Sequence, residues 1–160
     1  MMDAATGLED VRLNGPWSAA TVAAFLEAER SPIRLGLTWH DGAPLVVSIW
    51  FRYETGVLWC ASHESSRLIR ALRAAPRVGF EVSVNDPPYR GVRGQAVAEL
   101  VPAEGGARLG QLIDRYLGDR DSQLARWLLS RADGEVAICL RPDWITAWDF
   151  SARMGPAADD

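Results

Sequence analysis

The sequence predicts a mainly β protein with flanking helices, whose strands form one antiparallel sheet or barrel. Two observations favour this class. Six to seven short segments have the alternating or continuous apolar pattern of strands. Most of them follow one another directly, without the strict strand–helix alternation that is typical of a parallel sheet. The chain of 160 residues, 48% of them apolar, is long enough for a single domain with its own core.

The first residues of the chain are polar, and we expect the segment 1–16 to be flexible. Ser18 is a suitable N-cap for a first helix that ends near Glu29, because its hydroxyl can accept a hydrogen bond from the first turn. One domain is expected over residues 17–150. The tail, residues 151–160, has no recognisable pattern and is expected to be disordered.

Turn residues separate the expected strands. Asp41-Gly42 is a hairpin signal between the first two strands, and Gly94 inside the fifth indicates a bulge or a close backbone approach. Pro142-Asp143 is expected to divide the last two. The second strand is almost continuously apolar, which is typical of a strand that is buried on both faces or covered by a ligand or partner. The expected strands span residues 33–40, 44–51, 57–61, 77–84, 91–101, 135–141 and 144–150.

Helices interrupt this series of strands twice. An Arg-rich helix is expected over residues 65–74, and two helices are expected over residues 105–131. Trp127 lies on an apolar stripe of the second of these two helices. We expect its side chain, like those of Trp39 and Trp59, to belong to the core.

Charge and composition exclude several classes of function. The formal net charge is −4, which argues against general nucleic-acid binding. No apolar run approaches the roughly 20 residues of a membrane span, and the N-terminus lacks the pattern of a signal peptide, so we expect a cytoplasmic protein without a membrane partner. Cys60 and Cys139 lie in apolar runs and are expected to be buried thiols. Motifs of a catalytic triad, a metalloprotease or a P-loop are missing, so we predict no catalytic side chain and no metal.

The most informative segment follows the third strand. Ser62, Ser65 and Ser66 precede the Arg-rich helix or begin it, and Arg67 lies in its first turn. Backbone N–H groups at a helix N-terminus lack intrahelical partners, and the helix dipole favours an anion there. A guanidinium can bind phosphate through two charge-assisted hydrogen bonds. This segment therefore predicts the phosphate site of a phosphorylated cofactor.

Five motifs occur in an order and spacing that resemble one family. They are HDGAPLVVSIWF at 40–51, LWCAS at 58–62 followed by SSR at 65–67, APRVGFEV at 75–82, YRGVRGQAVAEL at 89–100 and LRPDWITAWD at 140–149. Together they resemble the split β-barrel of the pyridoxamine 5'-phosphate oxidase-like superfamily of flavin and deazaflavin oxidoreductases. The last motif resembles the closing hairpin of that barrel. One departure is Ala75, which stands where the family usually has Asp before Pro-Arg-Val.

The resemblance implies a six- to seven-stranded antiparallel split β-barrel of the FMN-binding type. It also implies a homodimer that holds FMN in a groove at the dimer interface and transfers hydride to or from a small-molecule substrate. In such a groove, Val46, Val47 and Ser48 would offer backbone groups and a hydroxyl to the edge of the ring, and Trp50 would supply an apolar wall. The serines and the arginine of the Arg-rich helix would hold the phosphate.

The residues leave other possibilities open. The cofactor could be the deazaflavin F420, whose acidic tail suits an arginine-rich chain, or the chain could be a non-catalytic module that binds flavin or haem. His63 could tune the ligand or bind haem iron, and Arg90 and Arg93 could contact a cofactor or substrate. Arg90 and Arg93 could equally be surface charges of the strand, and for His63 a position in a surface loop is favoured. The residues after Trp148 lack the pattern of a true pyridoxamine phosphate oxidase, so that activity is not expected.

Overall fold

The structure is a computed structural model that describes residues 5–155 and contains an eight-stranded, mostly antiparallel sheet with flanking helices. The strands are β1 (Arg12–Asn14), β2 (Ile33–Thr38), β3 (Pro44–Ile49), β4 (Arg52–Glu54), β5 (Val57–His63), β6 (Arg77–Ser83), β7 (Arg90–Val101) and β8 (Glu135–Asp149). The helices are α1 (Ala19–Ala28), α2 (Arg67–Ala74), α3 (Gly105–Tyr116), α4 (Gln123–Ser130) and α5 (Ser151–Met154). Short 3₁₀ turns cover Pro102–Glu104 and Ala132–Gly134.

The strand order explains why the barrel is split. Hydrogen-bonded neighbours follow the order β3-β2-β6-β7-β8-β5-β4, and β1 pairs in parallel with β8 outside this path. β3 and β4 therefore lie at opposite ends of the sheet, yet only Trp50 and Phe51 separate them along the chain. The two edges must lie close together, although no ladder joins them within residues 5–155. The sheet is thus a barrel with an open seam, and the predicted fold class is confirmed.

The main core fills the barrel and the space between the sheet and two helices. α1 begins at its expected N-cap, since Ser18 Oγ accepts from the Thr21 N–H at 3.2 Å. It buries Leu26 against the sheet, and α2 buries Ile69 and Leu72. Burial of this apolar surface is the main stabilising contribution to the fold. The largest fully buried side chains of this core include Phe51, Ile33, Leu35, Leu58, Ile138, Leu140 and Ile145.

The expected division of the last two strands is wrong. Glu135–Asp149 forms one strand of 15 residues, and the ladder with β7 continues past Pro142. A register shift opposite Gln95 and Ala96 leaves Asp143 as an extra residue, so the proline lies at a bulge where a missing N–H is tolerated. Gly94 lies next to this bulge, and a Cβ there would collide with the Trp144 carbonyl. The close approach expected at that glycine is therefore present.

Residues 5–16 are more structured than their sequence indicates. β1 pairs with β8, with Leu13 opposite Ile145, and Leu8 is almost fully buried. A strand of three residues is too short to show periodicity, and the burial of one leucine depends on the rest of the fold. At the other end, α5 occupies the first part of the tail for which we expect disorder. Residues 1–4 and 156–160 lie outside the described residues, and the domain boundaries stay a prediction.

Arg115 fixes the position of α3 relative to α1. Its guanidinium donates to the carbonyl oxygens of Glu27 at 2.8 Å and Glu29 at 2.6 Å, at the C-terminal end of α1. Those carbonyls lack intrahelical partners, and the helix dipole favours a cation there. The contact holds α3 beside the seam of the barrel.

Cys60 and Cys139 are buried and free, as expected, and burial raises the pKa of both thiols. Within residues 5–155, the helices are too short or too polar to cross a lipid bilayer.

Candidate functional site

A cleft of about 400 Å³ opens beside the seam of the barrel. It lies between β3, the ends of β5 and β8, and helices α3 and α4. Most of its lining is apolar, and polar groups come from Ser48, Ser62, His63, Arg131 and Glu135. An apolar cleft of this size with a few convergent polar groups has the general form of a cofactor or small-molecule site.

The structure brings three of the four predicted ring-contacting residues to this cleft. Val47, Ser48 and Trp50 line it. Val46 does not, because its side chain is 68% exposed and lies in a separate shallow groove with Arg34 and Phe80. The expectation that both faces of β3 are covered is therefore not met within one chain.

Trp50 is held at the cleft by the helical wall. Its ring stacks on Tyr116 of α3, with 5.1 Å between the centroids and 6° between the planes. The Phe51 N–H donates to Tyr116 Oη at 3.3 Å, so the tyrosine also ties the chain between β3 and β4 to α3. Burial raises the pKa of the Tyr116 hydroxyl, which therefore stays protonated at neutral pH. These contacts restrict the indole to one side of the cleft.

The serines predicted to hold a phosphate lie together where β5 leads into α2. Ser66 is the N-cap of α2, and its Oγ accepts from the Ile69 N–H at 3.1 Å. The same oxygen accepts from the Ser62 hydroxyl at 2.9 Å. Because both accepting positions of the Ser66 oxygen are filled, its own O–H is left to donate outward. This corner therefore presents a hydrogen-bond donor, as an anion requires.

Arg67 begins α2 and is exposed, next to Ser66 but outside the lining of the cleft. Arg70 and Arg73 are exposed on the same side of the helix. In the part of the chain that the structure describes, none of these three arginines forms an ion pair. Their charge is therefore not neutralised by neighbouring carboxylates.

His63 lies at the end of β5 and lines the cleft. Its Nδ1 accepts from the Ser65 N–H at 3.3 Å, and the Ser65 hydroxyl lies 2.8 Å from the same nitrogen. Since Nδ1 accepts from a backbone N–H, the ring in this arrangement carries its proton on Nε2. Nε2 packs against Gly134, where a Cβ would collide with the ring. The absence of a side chain at Gly134 thus allows the histidine its position.

Glu135 is a residue of the cleft that the sequence did not point to. It opens β8, directly opposite His63 in the ladder between β5 and β8, and is only 8% exposed. Among residues 5–155, no hydrogen bond or ion pair reaches its carboxylate. Burial raises its pKa, and the charges of His63 and Arg131 oppose this shift. The only signal for it in the sequence is a glutamate at the start of an apolar strand.

Trp127 also lines the cleft, and the expectation that it lies in the core is wrong. Its side chain is 53% exposed, and the Arg131 guanidinium lies 4.8 Å from the ring centroid. The apolar stripe of α4 faces the cleft instead of a packed partner, and periodicity alone cannot distinguish these two cases. Trp39 packs against the main core, and Trp59 is half-buried beneath the Arg108 guanidinium.

The structure does not bring Arg90 or Arg93 to the cleft. The Arg93 guanidinium lies 5.5 Å from the ring centroid of Trp148 on the sheet surface. Arg90 lines a separate groove with Trp17 and Asp149. In that groove the Trp17 indole N–H donates to Asp149 at 3.2 Å.

A split barrel with an apolar cleft at its seam and a serine- and arginine-bearing helix start beside it has the architecture of the flavin-binding split-barrel superfamily. The predicted resemblance to pyridoxamine 5'-phosphate oxidase-like proteins is confirmed in the fold.

Comparison with known proteins agrees with this classification. No family model and no curated protein sequence matches the chain. Among solved structures, an F420 reductase is 26% identical, with a TM-score of 0.68 over 82% of this chain and 98% of its own. A conserved hypothetical protein from Mycobacterium tuberculosis is 23% identical, with a TM-score of 0.72 over 95% of this chain and 94% of its own. An FAD-binding protein from Mesorhizobium loti is 24% identical, with a TM-score of 0.58 over 81% of this chain and 90% of its own.

Proposed function

We propose that this chain is an oxidoreductase that binds a flavin-type cofactor in the cleft beside the seam. One observation carries the proposal. The mostly apolar cleft lies beside the start of α2, where Arg67 is exposed and the Ser66 hydroxyl can donate a hydrogen bond. The similarity to an F420 reductase and an FAD-binding protein supports it.

The phosphate end of the cofactor would lie at the start of α2. The Ser66 hydroxyl, the Arg67 guanidinium and the free N–H groups of the first helical turn are all donors. Hydrogen bonds between charged groups contribute about 1.5–3 kcal/mol each. Ser62 would act by orienting Ser66, and Ser65 would add its own hydroxyl.

The ring would lie against β3. This strand is at an edge of the sheet, so half of its backbone N–H and C=O groups have no partner in a ladder. Near Val47 and Ser48 these groups can bind the heteroatoms at the edge of a ring. Trp50 and Trp127 would cover it and exclude water. When bound, such a cofactor supplies the hydride chemistry, so no catalytic triad is required.

Between the candidate cofactors, we place F420 before FMN. Sequence reasoning puts FMN first, because it is the commoner ligand of the fold. Two observations reverse this order. The F420 reductase is covered over almost its whole length, and Arg67, Arg70 and Arg73 form an unneutralised basic face on α2 that suits an acidic tail.

A homodimer is part of the proposal. Val46 on β3 and Leu124, which lies beside Ser48 and Trp50, are exposed apolar side chains, and one edge of β3 is unpaired. A second copy of the chain on this side would cover them and complete the cofactor groove. Analytical ultracentrifugation at micromolar concentration should give the mass of a dimer; a monomer would contradict an interfacial site.

A haem-binding module is the weaker candidate. Nδ1 of His63 is engaged by Ser65, and Nε2 packs against Gly134, so neither nitrogen is free to bind iron. Mixing the protein with haem should leave the Soret band unchanged. A bound flavin-type cofactor that no reductant reduces would instead favour a non-catalytic flavin module.

The decisive experiment is a fluorescence titration of the purified protein with F420, FMN and riboflavin, which lacks the phosphate. We expect the phosphorylated cofactors to bind with a Kd of about 10 μM or lower and riboflavin at least about tenfold more weakly, the effect of losing roughly 1.4 kcal/mol. Failure of both phosphorylated cofactors to bind would contradict the proposal. Equal binding of riboflavin would contradict the assignment of the phosphate site to Ser66 and Arg67 at the start of α2.

A further inference from the structure

Three polar residues lie between the start of α2 and the cleft: Ser65, His63 and Glu135. Ser65 contacts His63 Nδ1 through both its N–H and its hydroxyl, at 3.3 and 2.8 Å. His63 is in turn the cross-strand partner of Glu135. The flavin-binding role proposed above does not explain why His63 and the largely buried Glu135 lie beside these serines.

The neutral ring of His63 competes with an anion for the donors of Ser65. The Ser65 N–H is directed at the lone pair of Nδ1 and the Ser65 hydroxyl lies 2.8 Å from the same nitrogen, so an anion at the start of α2 would compete with the ring for both groups. Protonation of Nδ1 removes that lone pair. The ring then donates to the Ser65 oxygen, and the two donors of Ser65 become available to the anion.

Glu135 provides a reason for the ring to accept a proton. Glu135 lines the cleft and is 8% exposed, and its carboxylate lacks a hydrogen-bond partner within residues 5–155. A largely buried carboxylate without a hydrogen-bond partner is costly, and an imidazolium opposite it in the ladder would add a positive charge to that of Arg131 in the same cleft.

We propose that His63 is a positioning residue that takes up one proton when an anion binds at the start of α2, and so releases the donors of Ser65 to the ligand. The proton comes from solvent to Nδ1, no covalent bond to the ligand forms, and the imidazolium lies between the ligand and Glu135. This inference rests on the proposed cofactor site.

The charged groups around His63 act in both directions. Glu135 on β8 and Glu64 beside it in the chain favour the imidazolium. Arg131 at the end of α4 and Arg67 at the start of α2 oppose it. A bound anion would offset the two arginines, so proton uptake and anion binding favour each other.

The consequence is a defined pH dependence. Before the anion binds the ring is neutral, because its Nδ1 accepts from the Ser65 N–H. Because binding consumes a proton there, affinity is expected to fall as pH rises, by up to about tenfold per pH unit.

The test is isothermal titration calorimetry between pH 6 and 8, with sulfate and with F420 or FMN as ligands. Sulfate keeps its two charges over this range, so any proton taken up belongs to the protein. Two buffers of different ionisation enthalpy at pH 7.5 give the number of protons. We expect about 0.5–1 proton per ligand for the natural protein, and an affinity about tenfold higher at pH 6 than at pH 8.

Variants of the two histidines show which side chain takes up the proton when the ligand binds. His63→Asn keeps an oxygen that can accept from Ser65 but cannot be protonated, so proton uptake and the pH dependence should disappear. His40→Asn changes the other histidine of the chain, which is exposed next to the β2–β3 hairpin, and should leave both unchanged. Glu135→Gln should reduce the uptake. Persistence of the uptake in His63→Asn would overturn the inference.

The remaining outcomes separate this inference from the proposed function. Cofactor binding without proton uptake would overturn the role of His63 and leave the cofactor site standing, whereas failure of every ligand to bind at any pH would overturn both. A measurement without ligand tests the premise. Nitrogen-15 NMR of the ring at pH 8 should find the Nε2–H tautomer of His63, and the Nδ1–H tautomer would overturn the inference.

Discussion

The two walls of the cleft differ in how they are held. The barrel wall belongs to the main core, where Leu58, Ile138 and Leu140 are completely buried on β5 and β8. The helical wall packs around a second, much smaller cluster of buried residues. In α4, Ala125 is the one buried side chain of that helix, and its larger apolar residues remain partly or largely exposed.

Because they differ in this way, the two walls are suited to different roles in ligand binding. Polar groups that must be placed accurately, such as Ser62 and His63, extend from the strands of the barrel. The apolar cover, including Trp127, comes from a helix with little buried surface. Local opening of a protein costs least where few apolar contacts are buried. We therefore expect the barrel wall to bind the part of a ligand that is the same in every complex. We expect α4 to adjust its position to the part that differs from one ligand to another.

The largest expected difference is in stability. Leu140→Ala removes a fully buried side chain from the central strand β8, which typically lowers the free energy of unfolding by about 2–5 kcal/mol. Leu124→Ala on α4, 47% exposed, should cost less than about 0.5 kcal/mol. Urea unfolding of the two variants measures both. Equal losses would contradict the difference between the walls.

The next effect concerns binding. Arg67→Met should weaken the binding of F420 or FMN by about 10- to 100-fold, since a charge-assisted hydrogen bond contributes about 1.5–3 kcal/mol. Its stability should be unchanged, because the side chain is exposed. Arg73→Met is the matched control on the last turn of α2 and should change FMN affinity by less than about threefold, the effect of a distant screened charge. Titration of both variants by fluorescence distinguishes a specific contact from a general loss of charge.

A matched pair of N-cap variants sharpens the comparison. Ser66 and Ser122 cap two helices of eight residues, α2 and α4, through similar hydrogen bonds. Removing either hydroxyl should destabilise its helix by about 1 kcal/mol. For Ser66→Ala the loss should appear in global unfolding, because α2 belongs to the main core. For Ser122→Ala it should appear mainly as faster hydrogen exchange within α4. A global loss in both variants would indicate that α4 unfolds together with the barrel.

The smallest effect on the free energy of unfolding is expected at Glu135, in the cleft between the two walls. Burial raises the pKa of Glu135 in the folded state, so ionisation of this carboxyl destabilises the fold as pH rises through that value. Glu135→Gln should therefore be more stable than the natural protein at pH 8, and the two should converge at pH 4, where both side chains are neutral. Urea unfolding at the two pH values measures this. A difference that is independent of pH would argue for a packing effect instead.

Local signals in the sequence were reliable where the structure depends on neighbours in the chain. The cap at Ser18 and the hairpin at Asp41-Gly42 depend on backbone conformation over a few residues, and both are present. The signals failed where the outcome depends on a distant strand. Pro142 does not end a strand, because β7 pairs on both sides of the bulge.

The candidate site could be predicted only in part. The positions of Ser62, Val47, Ser48 and Trp50 at one cleft follow from the order of the strands, which the resemblance implies. Trp127 and Glu135 could not be placed in this way. Their surroundings depend on how α4 and β8 pack against the end of β5, and periodicity does not reveal which partner an apolar or buried face receives.

By itself, the sequence determined the class of fold and the limits of most helices and strands, and it pointed to the serines and arginine of the proposed anion site, because each depends on local conformational preference and short-range pattern. The tertiary structure decided three further features. The sheet curves into a barrel whose edge strands β3 and β4 stay unpaired, Trp127 faces the cleft instead of the core, and Glu135 lies opposite His63. These features arise from contacts between residues far apart in the chain, where the packing of whole elements determines which side chains meet.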